Sequence, residues 1–341
     1  MQYKTSPLNG DFGVMIEGVS RRDLKDASFQ REAYDLWTRK GGLLAVRGND
    51  LAAIPPEELV AWSEVFGAVE YEGMTAREDK SVKGFPILRI GNIRDEAGKL
   101  KASLSRVPQL RTDDDIRYNP ETRRPVWHTD STFRKHPPIG SVFHCRIAPD
   151  EGGETLFADM RAAYQRLDGA TKAKLNGLEA VCSLAHHDKK INTYSPDYPI
   201  LTPAQRAANP PNRVPIVLKH PVSGEPALYG LNSSTCAILP KGQDIALDVL
   251  DVCDLEGTEH ESVQILRSLL PAITGPEYTV KWCWQPGDIV AWDNRCTIHS
   301  ATGYDYERYS REMWRLTLLD RAQRPGQGSQ TLSGRGSTGV V

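Results

Sequence analysis

The chain has no strong charge of either sign: 42 Lys and Arg stand against 44 Asp and Glu, a formal net charge of -2 over 341 residues. That removes the electrostatic case for nucleic acid or an anionic membrane surface as partner. No apolar run approaches the roughly 20 residues that span a bilayer. Met1 to Asp11 is polar, with no signal-peptide core. The six cysteines are scattered without a CxxC pair, which argues against a zinc knuckle or a disulfide framework. Free thiols in a cytoplasmic, reducing compartment are the expectation. Neither a Walker A loop nor a glycine-rich turn opening a βαβ unit is found, so a doubly wound nucleotide fold is disfavoured. No general base stands beside a histidine pair in the HExxH manner, which weighs against a zinc hydrolase.

What remains is an ordinary globular composition, 39% hydrophobic and 25% charged. It suits one domain over residues 1–320, one that could also form a homo-oligomer. A Gly, Ser, Gln and Arg tail over 321–341 reads as disordered. Ala33, Leu36 and Trp37 lie on one face of a helix over 30–40, stopped by Gly41-Gly42. Pro55-Pro56-Glu57-Glu58 opens a second helix, closed by Gly67. Asp159 caps a third, with Ala163, Tyr164 and Leu167, and a fourth is expected over 170–178. A further helix covers 261–270. Leu43–Val46, Ile87–Ile90, Ile139–Ala148, Val214–Leu218, Ala227–Leu231, Tyr278–Trp284, Ile289–Trp292 and Trp314–Leu319 read as strands, and Pro221-Val222-Ser223-Gly224 as a hairpin turn. Residues 92–124 and 188–213 read as long excursions, the first a loop or lid. Many short strands with clumped helices predict a mainly β fold with helical insertions, a double-sheet roll.

One stretch stands out chemically: Val126-Trp127-His128-Thr129-Asp130-Ser131. In an extended segment residues i and i+2 share a face, so His128 and Asp130 point at one spot. An imidazole and a carboxylate make two ligands of a divalent metal. The best candidate for a third is His299, after Trp292-Asp293-Asn294-Arg295. Two histidines and one carboxylate, with open positions left, are the mark of non-haem Fe(II) oxygen chemistry. Taken alone, His-x-Asp is a weak signal, and a lone histidine is more often structural. His144 falls mid-strand as a packing residue, and His136, His220 and His260 read as structural or exposed. His186 and His187 end an apolar strand, from which one could reach a pocket.

Arg311 and Arg315, four apart, share a face whether extended or helical. Two guanidiniums aimed at one cavity are costly unless anions pair with them, and Arg suits bidentate capture of a carboxylate or sulfonate. A solvated face with Glu307, Arg308 and Glu312 explains the spacing equally well.

Four ordered segments then match a known family: Trp127–Phe133, Gly152–Met160, Gly287–Arg295, and His299 through Arg311 to Arg315. Together they resemble the taurine dioxygenase/2,4-D dioxygenase (TauD/TfdA) family over roughly residues 10–320. Arg161-Ala162-Ala163-Tyr164 and the Pro221–Gly224 turn look nearer to its phenoxyalkanoate-degrading branch. The resemblance implies a double-stranded β-helix (jelly roll) with Fe(II) on His128, Asp130 and His299. It also implies 2-oxoglutarate as co-substrate with its distal carboxylate on Arg311 and Thr155, consumption of O2, and Arg315 holding the acidic group of a small organic substrate. The family's first substrate-loop histidine has no counterpart here. Phe66-Gly67-Ala68-Val69-Glu70-Tyr71-Glu72 offers Tyr71 and acids instead, and Gly230–Thr235 lacks the aromatic that shapes the taurine pocket. The expected reaction is oxidation of a C–H bond of an aryloxyalkanoate, sulfonate or other acid, with release of succinate and CO2. The rivals are desaturation or cyclisation of an amino-acid-derived acid by the same cofactors, and a metal-binding jelly roll without catalysis.

Overall fold

A computed structural model describes residues 3–71, 79–102, 127–194, 200–231, 234–243 and 261–323. The strands in chain order are β1 (Lys4–Asn9), β2 (Phe12–Glu17), β3 (Leu43–Arg47), β4 (Ala68–Val69), β5 (Leu88–Gly91), β6 (Gly140–Ile147), β7 (Thr155–Asp159) and β8 (Leu178–Cys182). There follow β9 (Asn212–Pro215), β10 (Val217–Lys219), β11 (Pro226–Leu228), β12 (Thr235–Pro240), β13 (Thr279–Trp282), β14 (Ile289–Asp293), β15 (Thr297–Ala301) and β16 (Glu312–Leu319). The helices are α1 (Ala27–Arg39), α2 (Pro56–Ser63), α3 (Met160–Arg166), α4 (Gly169–Leu175), α5 (Leu184–Tyr194), α6 (Pro203–Ala208) and α7 (Glu261–Ile273). No helix among the described residues is long and apolar enough to cross a membrane.

The largest sheet runs β1-β2-β3-β14-β6-β16-β4, with β5 also on β16, and among its described strands only the β2–β3 pair is parallel. Its strands alternate with period 2, yet both faces are apolar. Leu44, Val46, Ile289, Ala291, Leu316 and Leu318 pack under α1 and α2 with Phe29, Trp37 and Trp62. Their neighbours Leu43, Ala45, Val290, Trp292 and Met313 face Phe157, Val280 and Trp282 of a second sheet, β13-β7-β15. Each fully buried large side chain contributes roughly 1.5–3 kcal/mol, so both packings hold the large sheet in place. Arg315, two residues on from Met313, points with it into the space between the sheets. A third sheet, β12-β8-β9, and the β10-β11 hairpin lie behind, against α3 and α7.

Several segments differ from expectation. α1 begins three residues before the expected helix, because the Asp26 carboxylate accepts the backbone N–H of Ser28 and Phe29, both at 2.9 Å. Gly41 and Gly42 (φ 74° and 70°) end it as expected, and Gly42 is obligatory: a Cβ there would lie 2.5 Å from Asp293 Cβ. α4 stops at Leu175, and Leu178 already starts β8. His186 and His187 sit in the first turn of α5, not at a strand end, because Ser183 Oγ caps the backbone N–H of His186. Val214–Leu218 is two strands broken at Ile216, whose N–H turns to Leu178 and whose carbonyl takes Tyr229. The 188–213 excursion holds the end of α5 and α6, the latter started by a Thr202/Gln205 capping box. Residues 103–124 of the expected lid and 324–341 of the tail lie outside the described residues.

Candidate metal and co-substrate site

His128 and His299 are tied first by the backbone. Each N–H donates to the other's carbonyl at 2.9 Å, so the Trp127–Asp130 segment lies alongside β15 as one more antiparallel step. Residues paired in this way sit directly opposite, with side chains on one face. The two imidazole centroids are 4.2 Å apart. Asp130, two residues on from His128, brings Oδ1 to 3.8 Å from Nε2 of both rings. All three side chains are buried, with donor atoms within 4.8 Å of one another.

The carboxylate is oriented from its far side. Ser141 Oγ donates to Asp130 Oδ2 at 3.1 Å, and Arg315 Nη2 stands 2.9 Å from the same oxygen. Oδ1 is thereby left facing the imidazoles. Burial works against the charged form, but Arg315, His299 and His128 outweigh it and hold Asp130 at about 2. The carboxylate is thus ionised at any pH at which the protein works. Two nitrogens and one oxygen on one side of a common point form a facial set. Cis ligands around a six-coordinate ion of this size stand about 3 Å apart, so the three donors suit a small divalent cation after a modest contraction. Trp292 packs on the His299 ring at 4.9 Å and keeps that side of the cluster apolar.

The turn after Asp130 is held from several directions. Ser131 has φ 50°, the only positive value at a non-glycine among the described residues. Arg134 pairs with Glu70 at the end of β4. Asn212 Nδ2 donates to the carbonyls of Thr132 and Arg134 at 2.9 and 2.6 Å. Such over-determination is what sustains a strained residue beside a site.

Arg311 is also buried and makes no ion pair with any described residue. Burial pushes its pKa down, while Tyr304, Cys145 and Tyr306 around it pull the other way. Its aliphatic stem passes the φ 68° Gly153, where a Cβ would meet Arg311 Cδ at 3.4 Å. Thr155 is also buried, two residues along the same strand entrance, and its Oγ accepts the indole N–H of Trp284 at 3.0 Å. A buried guanidinium with no carboxylate is costly and marks a place where an anion belongs.

A chain with this facial set and this buried cation can be compared with known proteins. Residues 4–317 match the family model described as "Taurine catabolism dioxygenase TauD, TfdA family". The chain belongs to that family. It is 29% identical over 314 residues to the (S)-phenoxypropionate/alpha-ketoglutarate-dioxygenase of Sphingobium herbicidovorans, covering 92% of this chain and 93% of the relative. It is 28% identical over 325 residues to the alpha-ketoglutarate-dependent 2,4-dichlorophenoxyacetate dioxygenase of Cupriavidus pinatubonensis, covering 94% and 99%. Among solved structures, AAD-2 in complex with Mn(II) and N-oxalylglycine superposes with a TM-score of 0.66 at 25% identity, covering 94% of this chain and 98% of that one.

The structure thus brings together His128, Asp130, His299 and Arg315, and buries Arg311 and Thr155 close by in the fold. His186 is buried in α5, which packs against β12, and Tyr71 is 55% exposed at the end of a described stretch. Neither belongs to the ligand group formed by His128, Asp130 and His299. Sequence reasoning missed Ser141 and Trp284, which lie in strand-like runs that carry no signal beyond apolar alternation. A second group within metal-ligand distance, His220, Asp293 and Cys296, is a closed hydrogen-bond network instead. His220 Nδ1 accepts the N–H of Ser223 at 3.1 Å, so Nε2 carries the proton and donates to Asp293 Oδ2 at 3.0 Å. Arg295 takes both Asp293 oxygens, at 2.8 and 2.6 Å. Burial raises the Cys296 thiol well above its ordinary value, so it stays a neutral donor to Gly41 O at 3.3 Å.

Proposed function

We propose that the facing sheets form a jelly roll and that the site between them is that of an Fe(II)- and 2-oxoglutarate-dependent dioxygenase acting on a small organic acid. The observation that carries this is the convergence of His128, Asp130 and His299, in a fold that also buries a guanidinium, Arg311, with no carboxylate partner among the described residues. His128, Asp130 and His299 would hold the iron and leave room on it for a chelating 2-oxo acid and O2. Bound iron would supply the activation of O2, coupled to oxidative decarboxylation of 2-oxoglutarate to succinate and CO2.

The chain's own residues then bind, orient and exclude water. Arg311 and the Thr155 hydroxyl would receive the distal carboxylate of 2-oxoglutarate, directing its keto acid end towards the triad. Ser141 and Arg315 hold Asp130 Oδ2 and keep the carboxylate charged. Trp292 and Phe157 keep water from the His299 side. The charges support an acidic substrate. A divalent iron, Arg311 and Arg315 against Asp130 and the 2-oxoglutarate dianion leave a single positive charge, which one carboxylate, sulfonate or sulfate ester would neutralise. Arg315 would take that role: it is buried beside Asp130, and its remaining N–H groups meet no other carboxylate among the described residues.

The test is an anaerobic titration of the Fe(II) protein with 2-oxoglutarate, followed by organic acids, reading the visible charge-transfer absorption. Oxygen is then admitted and succinate measured. A band that forms with 2-oxoglutarate and shifts with an aryloxyalkanoate or sulfonate, with succinate production lost in His128→Ala and Asp130→Ala, is the expected result. Undiminished succinate in either variant would remove the assignment.

A further inference from the structure

The indole N–H of Trp284 is aimed at Thr155 Oγ at 3.0 Å, and both side chains are buried. An indole nitrogen can only donate, and a threonine hydroxyl has one hydrogen to give. With Trp284 donating, the hydroxyl hydrogen of Thr155 must turn elsewhere, and no other side-chain bond of Thr155 is formed by the described residues. We propose that Trp284 is a positioning residue that locks the Thr155 hydroxyl as a donor, so that Thr155 and Arg311 present only donors to the distal carboxylate of the co-substrate. The inference rests on the 2-oxoglutarate assignment above.

The local architecture supports a fixed role. Thr155 pairs with Trp282 in β13 and with Ala301 in β15, so its backbone is held on both sides. Trp284, just past the end of β13, packs edge-on to Trp282 at 6.3 Å and near Phe143 at 6.2 Å. Neither ring can swing without vacating the core between the sheets. A hydroxyl left to rotate would point its hydrogen away from an incoming carboxylate part of the time and would meet it with lone pairs. Held as a donor, it needs no reorganisation when the anion arrives, which is the general advantage of a pre-set polar site.

The experiment compares two ligands and a double-mutant cycle. Wild type, Trp284→Phe, Thr155→Val and the double variant are titrated anaerobically, as Fe(II) proteins, with 2-oxoglutarate and with pyruvate, which lacks the distal carboxylate. The expected result is a roughly three- to tenfold weaker dissociation constant for 2-oxoglutarate in Trp284→Phe, with pyruvate binding unchanged. Thr155→Val should lose at least as much, and adding Trp284→Phe to it should cost nothing further. Equal losses for both ligands, or additive losses in the double variant, would make Trp284 a packing residue and overturn the proposal. A wild-type protein that binds neither ligand sinks the co-substrate assignment itself, whereas wild-type binding that survives intact in Trp284→Phe sinks only this inference. Should Trp284→Phe fail to fold, the benzothiophene analogue of tryptophan placed at 284 keeps the shape, removes the N–H, and makes the same comparison.

Discussion

Arg315 Nη2 stands 2.9 Å from Asp130 Oδ2, so the guanidinium expected to meet the substrate also neutralises a proposed metal ligand. A charge change at either residue is therefore felt at both the metal and the substrate.

Arg315→Met should weaken Mn(II) or Fe(II) binding by about 10- to 100-fold, the usual consequence of removing a group that supports a ligand from behind. Arg315→Lys should recover part of the loss, since the charge remains but the planar fork does not. Isothermal titration with Mn(II) decides it. Unchanged metal affinity in Arg315→Met, with only acid-substrate binding lost, would assign the guanidinium to the substrate alone.

Arg311 should show a trade between stability and binding. Its guanidinium is buried without a carboxylate, so Arg311→Met relieves an uncompensated charge and should raise the melting temperature of the ligand-free protein. The same change should cost on the order of 100-fold in 2-oxoglutarate affinity. A variant that melts lower and binds 2-oxoglutarate normally would contradict both halves.

His144 should make the protein acid-sensitive. Burial, reinforced by Arg146, lowers its pKa from 6.5 to about 4, while its Nε2 lies 3.0 Å from the Leu51 carbonyl. The folded state prefers the neutral ring, so stability is full above pH 6.5 and declines as pH falls from 6.5 towards 4. The total amounts to about 3 kcal/mol. Urea unfolding from pH 7.5 to 5 should show the decline, and His144→Gln should flatten it. An unchanged slope in His144→Gln would place the sensitivity elsewhere.

His220 should be structural. His220→Ala leaves an Asp293 oxygen short of a buried donor and should cost about 1–3 kcal/mol of stability. Metal stoichiometry should stay at one per chain in this variant and fall to zero in His128→Ala with Asp130→Ala. A wild type that binds two equivalents, one of them lost with His220, would make the second cluster a metal site after all.

Much of this site was legible along the chain because its chemistry is local. His128 and Asp130 share a face by strand periodicity alone, and Arg311 and Arg315 share one whatever the element. Asp159 caps α3 as expected, its carboxylate accepting from Arg161 and Ala162 N–H at 2.9 and 3.2 Å. Less was legible where a side chain's meaning depends on a distant partner. His220 looked unremarkable until the β10-β11 hairpin brought it against Asp293. Along the chain His186 reads as the end of an apolar strand, whereas a single hydroxyl, Ser183 Oγ, starts a helix there. The spacing of Arg311 and Arg315 was compatible with a solvated face, and burial of both excludes it.

The order of residues by itself determined which groups could serve as ligands and anion clamps, and which of them share a face, because strand and helix periods act over a few residues. Tertiary structure decided which oxygen of Asp130 faces the histidines, which arginine is neutralised and which is left bare, and which hydroxyl is forced to donate. Those outcomes depend on contacts across β6, β13, β15 and β16, and a buried polar group takes its role from whichever partner the packed sheets leave within hydrogen-bond reach.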